Sequence, residues 1–248
     1  MLEWKTIVAG YGKKSVLKNL SLEVRDGELL SIVGPNGCGK STLLKTAIGI
    51  LPIQSGALLV DGQSLGDLSR SEIARRVAYL AQGKETPDMS VTQLVLHGRF
   101  PHLHYPRRYS SADRALASAA IERMGLVDYA DAPLSALSGG MRQNAYIAMA
   151  LVQEGQTLLL DEPTTYLDVA HQLDLMRTLR RLAEDGRSVA VVMHDLPQAF
   201  AYSDRVAVMR AGEIVAVDTP SAICASGVIE MVFGVALIES NGAYGYRH

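Results

Sequence analysis

The sequence predicts an α/β fold in which a mostly parallel sheet is covered by helices on both faces. Short apolar runs alternate with helical patterns over the second half of the chain, as strands do when crossover helices join them. A glycine-rich loop follows one of these runs and a pair of carboxylates ends another, as expected at the ligand-binding edge of such a sheet. The chain has 248 residues, of which 48% are hydrophobic and 20% charged, so it can bury the core of one domain with subdivisions.

The first third of the chain is predicted to be rich in strands. Residues 17–24 alternate between apolar and polar side chains, and the continuous apolar run 29–33 predicts a buried strand. Apolar residues at helical spacing in 41–48, followed by a glycine, predict a helix. The run 58–60 before an Asp-Gly pair predicts another strand and turn.

A helical insertion is predicted for the middle of the chain. Ser110, with Asp113 three residues later, forms a capping-box pattern, and alanine-rich turns follow it. We therefore predict a single domain in which a helical subdomain in 83–152 interrupts the part that carries the sheets, residues 1–82 and 153–248.

Strands alternate with helices again beyond the insertion. The apolar runs 157–160 and 188–193 predict buried strands, and residues 175–182 place three leucines on one face of a helix between them. Residues 214–248 carry no recognisable motif and predict hairpin and helix content.

Composition and charge exclude several classes of protein. The formal net charge of -2, with acidic and basic residues interspersed, offers no basic field for non-specific nucleic-acid binding. Cys38 and Cys224 have neither a metal-ligand nor a redox spacing and fit a reducing compartment. No apolar run reaches the roughly 18 residues that span a bilayer, and the first residues lack the apolar core of a signal peptide. We expect a chain that does not itself cross the membrane.

A glycine-rich loop between the predicted strand 29–33 and the predicted helix 41–48 matches the pattern G-x-x-x-x-G-K-[ST] at every fixed position. Its residues are Gly34, Pro35, Asn36, Gly37, Cys38, Gly39, Lys40 and Ser41. Glycines let backbone N–H groups surround phosphate oxygens at a helix N-terminus, while Lys40 supplies a positive charge and Ser41 an oxygen ligand for Mg²⁺. The alternative for the loop is an ordinary glycine-rich turn before a helix. The alternative for Cys38 is a redox role, but the need for a small side chain is enough to explain this position.

One apolar strand ends in two carboxylates, Asp161 and Glu162. Beside a phosphate loop, Asp161 could approach the metal through water, while Glu162 could polarise an attacking water. Another apolar run delivers His194 at its end, and Gln82 follows the run 77–81. Taken one by one, these residues leave other interpretations open. The acid pair could be solvated in a loop, His194 could be a core or surface histidine, and Gln82 could be a surface glutamine.

Ser138, Gly139 and Gly140 precede a predicted helix over 142–151 and form a second segment suited to an anion. The sequence thus contains one phosphate loop but two such segments. Two copies that meet head to tail about a two-fold axis would let each lend its Ser138 segment to the nucleotide held by Lys40 of the other. The sequence permits this arrangement without establishing it.

With these motifs in this order, the sequence resembles the ATP-binding subunits of ABC transporters over essentially its whole length. The resemblance implies an ATPase with a P-loop NTPase core, an N-terminal antiparallel β subdomain and an inserted α-helical subdomain. It assigns the adenine-stacking aromatic to Tyr11, the Walker A loop to 34–42 including Thr42, the Q-loop to Gln82, the signature to 137–141, Walker B and the general base to Asp161 and Glu162, the D-loop to Leu167 and Asp168, and the switch histidine to His194.

The resemblance also implies the ligands and partners. ATP and Mg²⁺ are the expected cofactors, with Ser41, Gln82 and Asp161 around the metal. Catalysis is expected to involve Glu162, Gln82 and His194. ATP closes a homodimer and hydrolysis opens it, while Gln82 and the helical insertion pass the motion to integral membrane permease subunits at the cytoplasmic face of the cell membrane. A substrate-binding protein takes part indirectly, and no nucleic acid is expected.

Three segments most resemble the importers of iron-siderophore, haem or cobalamin complexes: 98–102 after Gln82, 164–168, and 195–196 after His194. The alternatives are another ABC importer or exporter class, or a non-transport ATP switch acting on DNA or ribosomes. Histidines 97, 102 and 104 suggest a metal site. A loop facing the membrane partner explains these histidines better, because the cluster lacks a helical ligand spacing and carboxylates.

The sequence departs from the family pattern at two places. Met141 occupies the fifth signature position, where glutamine is usual, and Asn144 and Met149 stand where arginines are common in relatives. The Ser-Gly-Gly of 138–140 is unchanged, so we expect nucleotide binding to be retained and the hydrolysis rate and subunit coupling to be the properties affected.

Overall fold

The structure is a computed structural model that describes residues 1–83 and 86–247. The strands of this part of the chain are β1 (Leu2–Tyr11), β2 (Lys14–Val24), β3 (Leu29–Val33), β4 (Ile53–Val60), β5 (Gln63–Ser64), β6 (Val77–Leu80), β7 (Thr157–Asp161), β8 (Ser188–Val192), β9 (Arg205–Arg210), β10 (Glu213–Asp218), β11 (Ala236–Ser240) and β12 (Ala243–Arg247). The α-helices are α1 (Lys40–Ala47), α2 (Arg70–Arg76), α3 (Val91–His97), α4 (Ser111–Arg123), α5 (Gly139–Leu151), α6 (Val169–Glu184), α7 (Leu196–Tyr202), α8 (Pro220–Ala225) and α9 (Val228–Phe233).

A six-stranded sheet in the order β10-β9-β3-β8-β7-β6 forms the centre of the fold. Strands β9, β3, β8, β7 and β6 run parallel, and β10 pairs antiparallel with β9. Every residue of β3, β7 and β8 is buried. Side chains alternate between two apolar clusters, so that Leu29 and Val33 pack on one face of the sheet and Leu30 and Ile32 on the other. The predicted parallel sheet covered on both faces is confirmed.

The loops that follow the parallel strands lie along one edge of this sheet. Because β3, β6, β7 and β8 share a direction, their carboxyl ends meet there. Helix α1 packs against the strands on one face, while α6 and α7 pack together against the other. Buried strands and helices therefore fix the position of this edge, and the polar residues lie in the loops that follow the strands.

A second, antiparallel sheet in the order β2-β1-β4-β5 is built mostly from the first sixty residues. In its register Trp4 pairs with Leu22 of β2 and Leu58 of β4. Its buried side chains share an apolar cluster with α1 and one face of the central sheet. The Trp4 indole Nε1 donates to Thr46 Oγ1 of α1 at 2.9 Å, which satisfies a buried donor. This sheet is the predicted N-terminal antiparallel β subdomain.

Helices α3, α4 and α5 pack against one another in the middle of the chain. The predicted capping box starts α4: Ser110 Oγ accepts from Asp113 N at 3.1 Å, and Asp113 Oδ2 accepts from Ser110 N at 2.9 Å. Helix α5 begins at Gly139, earlier than predicted, because Ser138 caps it. These helices share an apolar cluster with the central sheet. The limits 83–152 of the helical subdomain stay a prediction, and residues 84 and 85 lie outside the described part of the chain.

The end of the chain contains the predicted hairpin and helix content. Strand β10 is followed by α8, α9 and the hairpin β11–β12, and His248 lies outside the described residues. Strand β12 packs against α7, where the rings of Phe200 and Tyr244 meet edge to face at 5.4 Å between centroids. Across residues 1–83 and 86–247, no helix combines the length and the apolar character that crossing a bilayer requires.

Candidate functional site

The glycine-rich phosphate loop connects the buried strand β3 to helix α1. Lys40, the first residue of α1, is 5% exposed, and its Nζ donates to the carbonyl oxygens of Gly34 at 2.8 Å and Pro35 at 3.2 Å. Cys38 is buried in the loop, and burial raises the pKa of its thiol. A thiol with a raised pKa is a poor nucleophile at neutral pH, which supports the interpretation of Cys38 as a packed residue.

Two glycines of the loop meet different requirements. At Gly34 a Cβ would lie 2.4 Å from the carbonyl oxygen of Met209, so strand β9 leaves no room for a side chain. At Gly37 a Cβ would meet open space, but φ is 76°, a left-handed conformation that side chains disfavour. Gly34 is thus required by packing and Gly37 by the turn that leads into the helix.

Asp161 ends β7 directly beside α1. The residue is buried, and its two carboxylate oxygens accept from Ser41 Oγ at 3.0 Å and from the Tyr79 hydroxyl at 3.2 Å. Burial raises the pKa of Asp161, and the hydrogen bonds from Ser41 and Tyr79 partly oppose that shift. Ser41 and Asp161 present two adjacent oxygen donors, which is the ligand type that Mg²⁺ prefers. The donor set therefore fits the predicted metal.

Glu162, Gln82 and His194 meet at the edge of the central sheet. His194 Nε2 lies 2.5 Å from Glu162 Oε1, and Gln82 Nε2 donates to Glu162 Oε2. Because β6, β7 and β8 are parallel neighbours, the residues that follow them come together although they are far apart in sequence. Glu162 has φ 51°, a left-handed backbone that residues other than glycine rarely adopt. Glu162 shares this conformation with seven other non-glycine residues among those described, and at a site of converging polar side chains such strain is consistent with a functional role.

A cavity of about 500 Å³ joins the phosphate loop to this group of residues. It is lined by Val16, Asn36, Gly37, Gly39, Lys40, Ser41, Thr42, Gln82, Glu162 and His194. The volume lies within the range of small-molecule sites. A phosphate-sized anion bound at the helix start would therefore lie in the same cleft as a carboxylate able to accept a proton.

Tyr11, Ser138 and Asp168 are not among the described residues that line this cavity. Tyr11 ends β1 and is 52% exposed. Ser138 is exposed, and its hydroxyl caps α5 by accepting from Met141 N at 3.3 Å. Asp168 caps α6 by accepting from His171 N at 2.9 Å. The nucleotide contacts assigned to these three residues stay predictions.

Gly139 and Gly140 have different surroundings. Gly139 lines a smaller cavity of about 160 Å³ together with Gln82, Asp161 and Glu162. Gly140 is buried, and a Cβ there would lie 2.1 Å from the ring of His171. The start of α5 thus approaches the acidic pair of its own chain, while Ser138 itself stays on the surface.

Sequence reasoning did not single out Tyr79 or Val16. The Tyr79 hydroxyl donates to Asp161, and burial beside that carboxyl holds the pKa of Tyr79 well above its ordinary value, so it remains a donor. Its signal in the sequence was a side chain with a polar tip in an otherwise apolar strand just before Gln82. Val16 enters the cavity from β2, and no local pattern indicates that a strand of the second sheet reaches the site.

His171 is a third residue that sequence reasoning missed. Its Nδ1 lies 2.8 Å from Asp168 Oδ1, and its ring covers Gly140. The available signal was its position three residues after Asp168, where a helix cap finds its partner. His171 thus connects the predicted D-loop to the predicted signature within one chain.

The residues that depart from the family pattern lie in α5. Asn144 Nδ2 donates to the carbonyl oxygen of Met124 at 3.3 Å, which ties α5 to the end of α4. Met141 and Met149 are partly buried and pack against the larger apolar cluster. These positions therefore contribute packing and one hydrogen bond between helices.

The histidines at 97, 102 and 104 form no metal centre among the described residues, where no group of three His, Cys, Asp or Glu side chains could hold an ion. His102 Nε2 lies 3.0 Å from the carbonyl oxygen of Gln153. Arg99, in the same segment, is buried and donates to Asp113 Oδ1 at 2.8 Å and to the Val152 carbonyl oxygen at 2.7 Å. This ion pair fixes the loop between α3 and α4.

The family model described as ABC transporter matches residues 17–165 of the chain. The ferric enterobactin transport ATP-binding protein FepC of Escherichia coli (strain K12) is 42% identical over 236 residues, covering 94% of this chain and 87% of that protein. The iron(3+)-hydroxamate import ATP-binding protein FhuC of Bacillus subtilis (strain 168) is 40% identical, covering 91% and 85%. The hemin import ATP-binding protein HmuV of Rhodococcus jostii (strain RHA1) is 41% identical, covering 92% and 78%.

Solved structures share the architecture. A metal-chelate type ABC transporter in an inward-facing conformation aligns with a TM-score of 0.84 at 25% identity, covering 99% of this chain and 95% of that chain. The cbiO1 protein of Clostridium perfringens, part of the ABC transporter complex cbiONQ, aligns with a TM-score of 0.81 at 27% identity, covering 94% and 95%. Both alignments extend over nearly the whole chain, and the predicted fold class is confirmed.

Proposed function

This chain belongs to the ABC transporter family, and from this premise we propose that its ATP hydrolysis powers the import of a metal chelate through a separate membrane permease. The relatives named above carry ferric enterobactin, ferric hydroxamate or hemin in their names. The observation that carries the proposal is the meeting of Gln82, Glu162 and His194 at the edge of the phosphate loop. A phosphate site beside a positioned carboxylate is what hydrolysis of a triphosphate requires.

In the proposed reaction, Lys40 and the backbone of 34–39 bind the outer phosphates of ATP, while Tyr11 stacks on the adenine. Glu162 accepts a proton from the water that attacks the γ-phosphorus, and the bond to the leaving ADP oxygen breaks. His194 and Gln82 hold the carboxylate in place, and each of its oxygens keeps a lone pair for the water.

Ser41, Asp161 and Gln82 are the residues proposed to hold Mg²⁺, whose charge, when the ion is bound, offsets that of the phosphates. Ser41 and Asp161 already lie within hydrogen-bond distance of each other. Tyr79 orients the other oxygen of Asp161. These contacts preorganise the oxygen donors at the end of β7.

The proposed active form is a homodimer in which the Ser138 segment of one copy closes over the nucleotide bound by the other. Two features support it: Ser138 is exposed at the start of α5, a helix of thirteen residues, and it does not line the cavity of its own chain. A helix start with serine and glycine is suited to an anion. A head-to-tail pair would complete two equivalent sites.

The proposed partners are integral membrane permease subunits at the cytoplasmic face of the membrane, with a substrate-binding protein acting indirectly. Beside the segment 98–102, the structure has a cavity of about 470 Å³. It is lined by residues of α2, α3 and α5, including Arg70 and His97, and by the segment between α3 and α4, including Phe100 and Arg107. Arg107 lies 4.5 Å over the Phe100 ring. A concave surface with exposed aromatic and basic side chains supports docking of a partner there.

The function is tested by purifying the chain with its permease and measuring ATP-dependent uptake into vesicles. Radiolabelled ferric hydroxamate, ferric catecholate, haem and cobalamin are the probes, with the Glu162→Gln complex as the control. We expect uptake of at least one chelate with the wild type and none with the control. Extrusion of substrate would assign the ATPase to an exporter, and saturable binding to ribosomes or DNA at physiological salt without a permease would indicate an ATP switch.

A further inference from the structure

A chain of side-chain amides links the two loops that carry the proposed catalytic residues. On α6, Gln172 Nε2 donates to the carbonyl oxygens of Leu167 at 2.9 Å and Thr164 at 3.4 Å. On α7, Gln198 Nε2 donates to Gln172 Oε1 at 2.8 Å and to Asp195 Oδ2 at 3.2 Å. Two helices packed against the sheet thus connect the loop after β7 to the loop after β8.

The amide chain closes a ring with the catalytic contact. Asp195 directly follows His194, whose Nε2 lies 2.5 Å from Glu162 Oε1. On the other side, Thr165 N donates to the Glu162 carbonyl oxygen at 3.3 Å, at the start of the loop that Gln172 holds. The contacts that Gln172 makes with Gln198 and with the loop are partly buried, whereas the contact between Gln198 and Asp195 is exposed.

The chemistry of the neighbours determines the orientation of both amides. The Asp195 carboxylate and the Leu167 and Thr164 carbonyls can accept but not donate. Gln198 must therefore present its NH₂ group to Asp195, and Gln172 must present its NH₂ group to the loop, which leaves Gln172 Oε1 to accept from Gln198. A side chain that donates at one end and accepts at the other is needed at 172, and glutamate or leucine cannot replace it.

The arrangement also leaves one polar atom unsatisfied. Gln198 Oε1 is buried and has no hydrogen-bond partner among the described residues. A buried acceptor without a partner destabilises the folded state, whereas a leucine of similar size would fill the space without that penalty. What glutamine contributes at this position is therefore the pair of hydrogen bonds that its Nε2 donates to Gln172 and Asp195.

We propose that Gln172 and Gln198 form a positioning unit that fixes His194 relative to Glu162 during ATP hydrolysis. Neither glutamine lines the cavity at the phosphate loop, and the unit acts through the Thr164 and Leu167 carbonyls and through Asp195. This inference rests on the proposed roles of Glu162 and His194. It assigns the unit to the alignment of the catalytic pair and leaves nucleotide binding to the phosphate loop.

The test compares Gln172→Leu, Gln198→Leu and the double variant, measured in the purified chain or its complex. We expect each single variant and the double variant to lower kcat by the same factor of roughly ten, because misplacement of a catalytic group slows the chemical step. KM and the Kd for a fluorescent ATP analogue should change less than about twofold, and the melting temperature of the double variant should stay within about 2 °C of wild type. Gln172→Glu should be no better than Gln172→Leu, because it lacks the donor.

Gln156→Leu is the matched control, since Gln156 Nε2 also donates to a backbone carbonyl, that of Gly186, away from the site. Three results would each overturn the inference. The double variant could keep the wild-type kcat, the kcat losses of the two single variants could multiply in the double variant, or kcat could fall only together with the melting temperature. If the wild type hydrolyses ATP and Lys40→Ala does not, the proposed ATPase stands even when the positioning unit is rejected. Absence of that turnover would instead contradict the proposed function.

Discussion

The phosphate loop and the Ser138 segment both place glycines at the start of a helix, but their surroundings differ. The phosphate loop is enclosed by its own chain: Lys40 is buried, and Gly34 packs against β9. A cation, a hydroxyl and a carboxylate lie around it. Ser138 is exposed, and the hydrogen bond described for its hydroxyl caps its own helix.

The difference teaches that a helix start suited to an anion is only part of a nucleotide site. Residues 138–141 contain no lysine, and the carboxylates near Gly139 are those of Asp161 and Glu162, whereas the phosphate loop has its own buried Lys40 and its Ser41 contacts Asp161. A complete site therefore needs groups that local sequence does not supply. For the phosphate loop these come from neighbouring strands of one chain, and for the Ser138 segment we propose that they come from a second copy.

Replacing Glu162 by Gln tests the completed side of the comparison with the largest expected effect. Loss of the proton acceptor should lower kcat by about 10²- to 10⁴-fold. ATP binding should be retained, because Lys40 and the loop backbone are unchanged. Phosphate release and size-exclusion chromatography with ATP are the measurements. Undiminished phosphate release, or a chain that stays monomeric with ATP, would count against the assigned roles.

Replacing Lys40 by Ala tests whether charge completes the phosphate loop. The variant should lose ATP affinity by about 10- to 100-fold, since a hydrogen bond to a charged group contributes about 1.5–3 kcal/mol. Titration calorimetry checks it, with Lys18→Ala, an exposed lysine on β2, as the control. Equal affinity in the two variants would remove the lysine from the proposed site.

Replacing Gly140 by Ala tests the packing at the second segment. A Cβ would lie 2.1 Å from the His171 ring, and we expect the free energy of unfolding to fall by about 1–3 kcal/mol, as in overpacked cores. Gly139→Ala is the matched control, because its nearest neighbour would lie 3.5 Å away. In thermal melts, Gly140→Ala should lower the melting temperature and Gly139→Ala should not. Combining Gly140→Ala with His171→Ala should recover the melting temperature that Gly140→Ala loses. Equal melting temperatures for both alanine variants would show that His171 does not restrict Gly140.

Replacing Ser138 by Ala should have the smallest effect on the isolated chain. Loss of the helix cap should cost about 1 kcal/mol. Ser110→Ala, which removes the cap of α4, is a control with a similar loss of stability. Analytical ultracentrifugation with ATP should show weaker dimerisation in Ser138→Ala than in Ser110→Ala, each in the Glu162→Gln background. Identical dimerisation would confine Ser138 to its cap.

Much of the fold could be predicted because periodicity and turn chemistry are local. The buried strand β3, the capped helix α4 and the acidic end of β7 each follow from a few consecutive residues. The convergence of Gln82, Glu162 and His194 was also predictable in outline, since residues after parallel strands share one edge.

The remaining contacts depend on tertiary structure that no local pattern specifies. Val16 reaches the cavity because a second sheet packs over α1, and the Tyr79 hydroxyl finds Asp161 because β6 pairs with β7. Gln172 and Gln198 lie on different helices and meet only when α6 packs on α7. Whether Ser138 meets a nucleotide depends on a second chain, which one sequence read alone does not determine.

The most direct test of the account is a structure of the Glu162→Gln chain with ATP and Mg²⁺. We predict a head-to-tail dimer in which Lys40 of one copy and Ser138 of the other both lie within about 3 Å of oxygens of the same triphosphate. A triphosphate bound at Lys40 with Ser138 of every copy far from it would contradict the account.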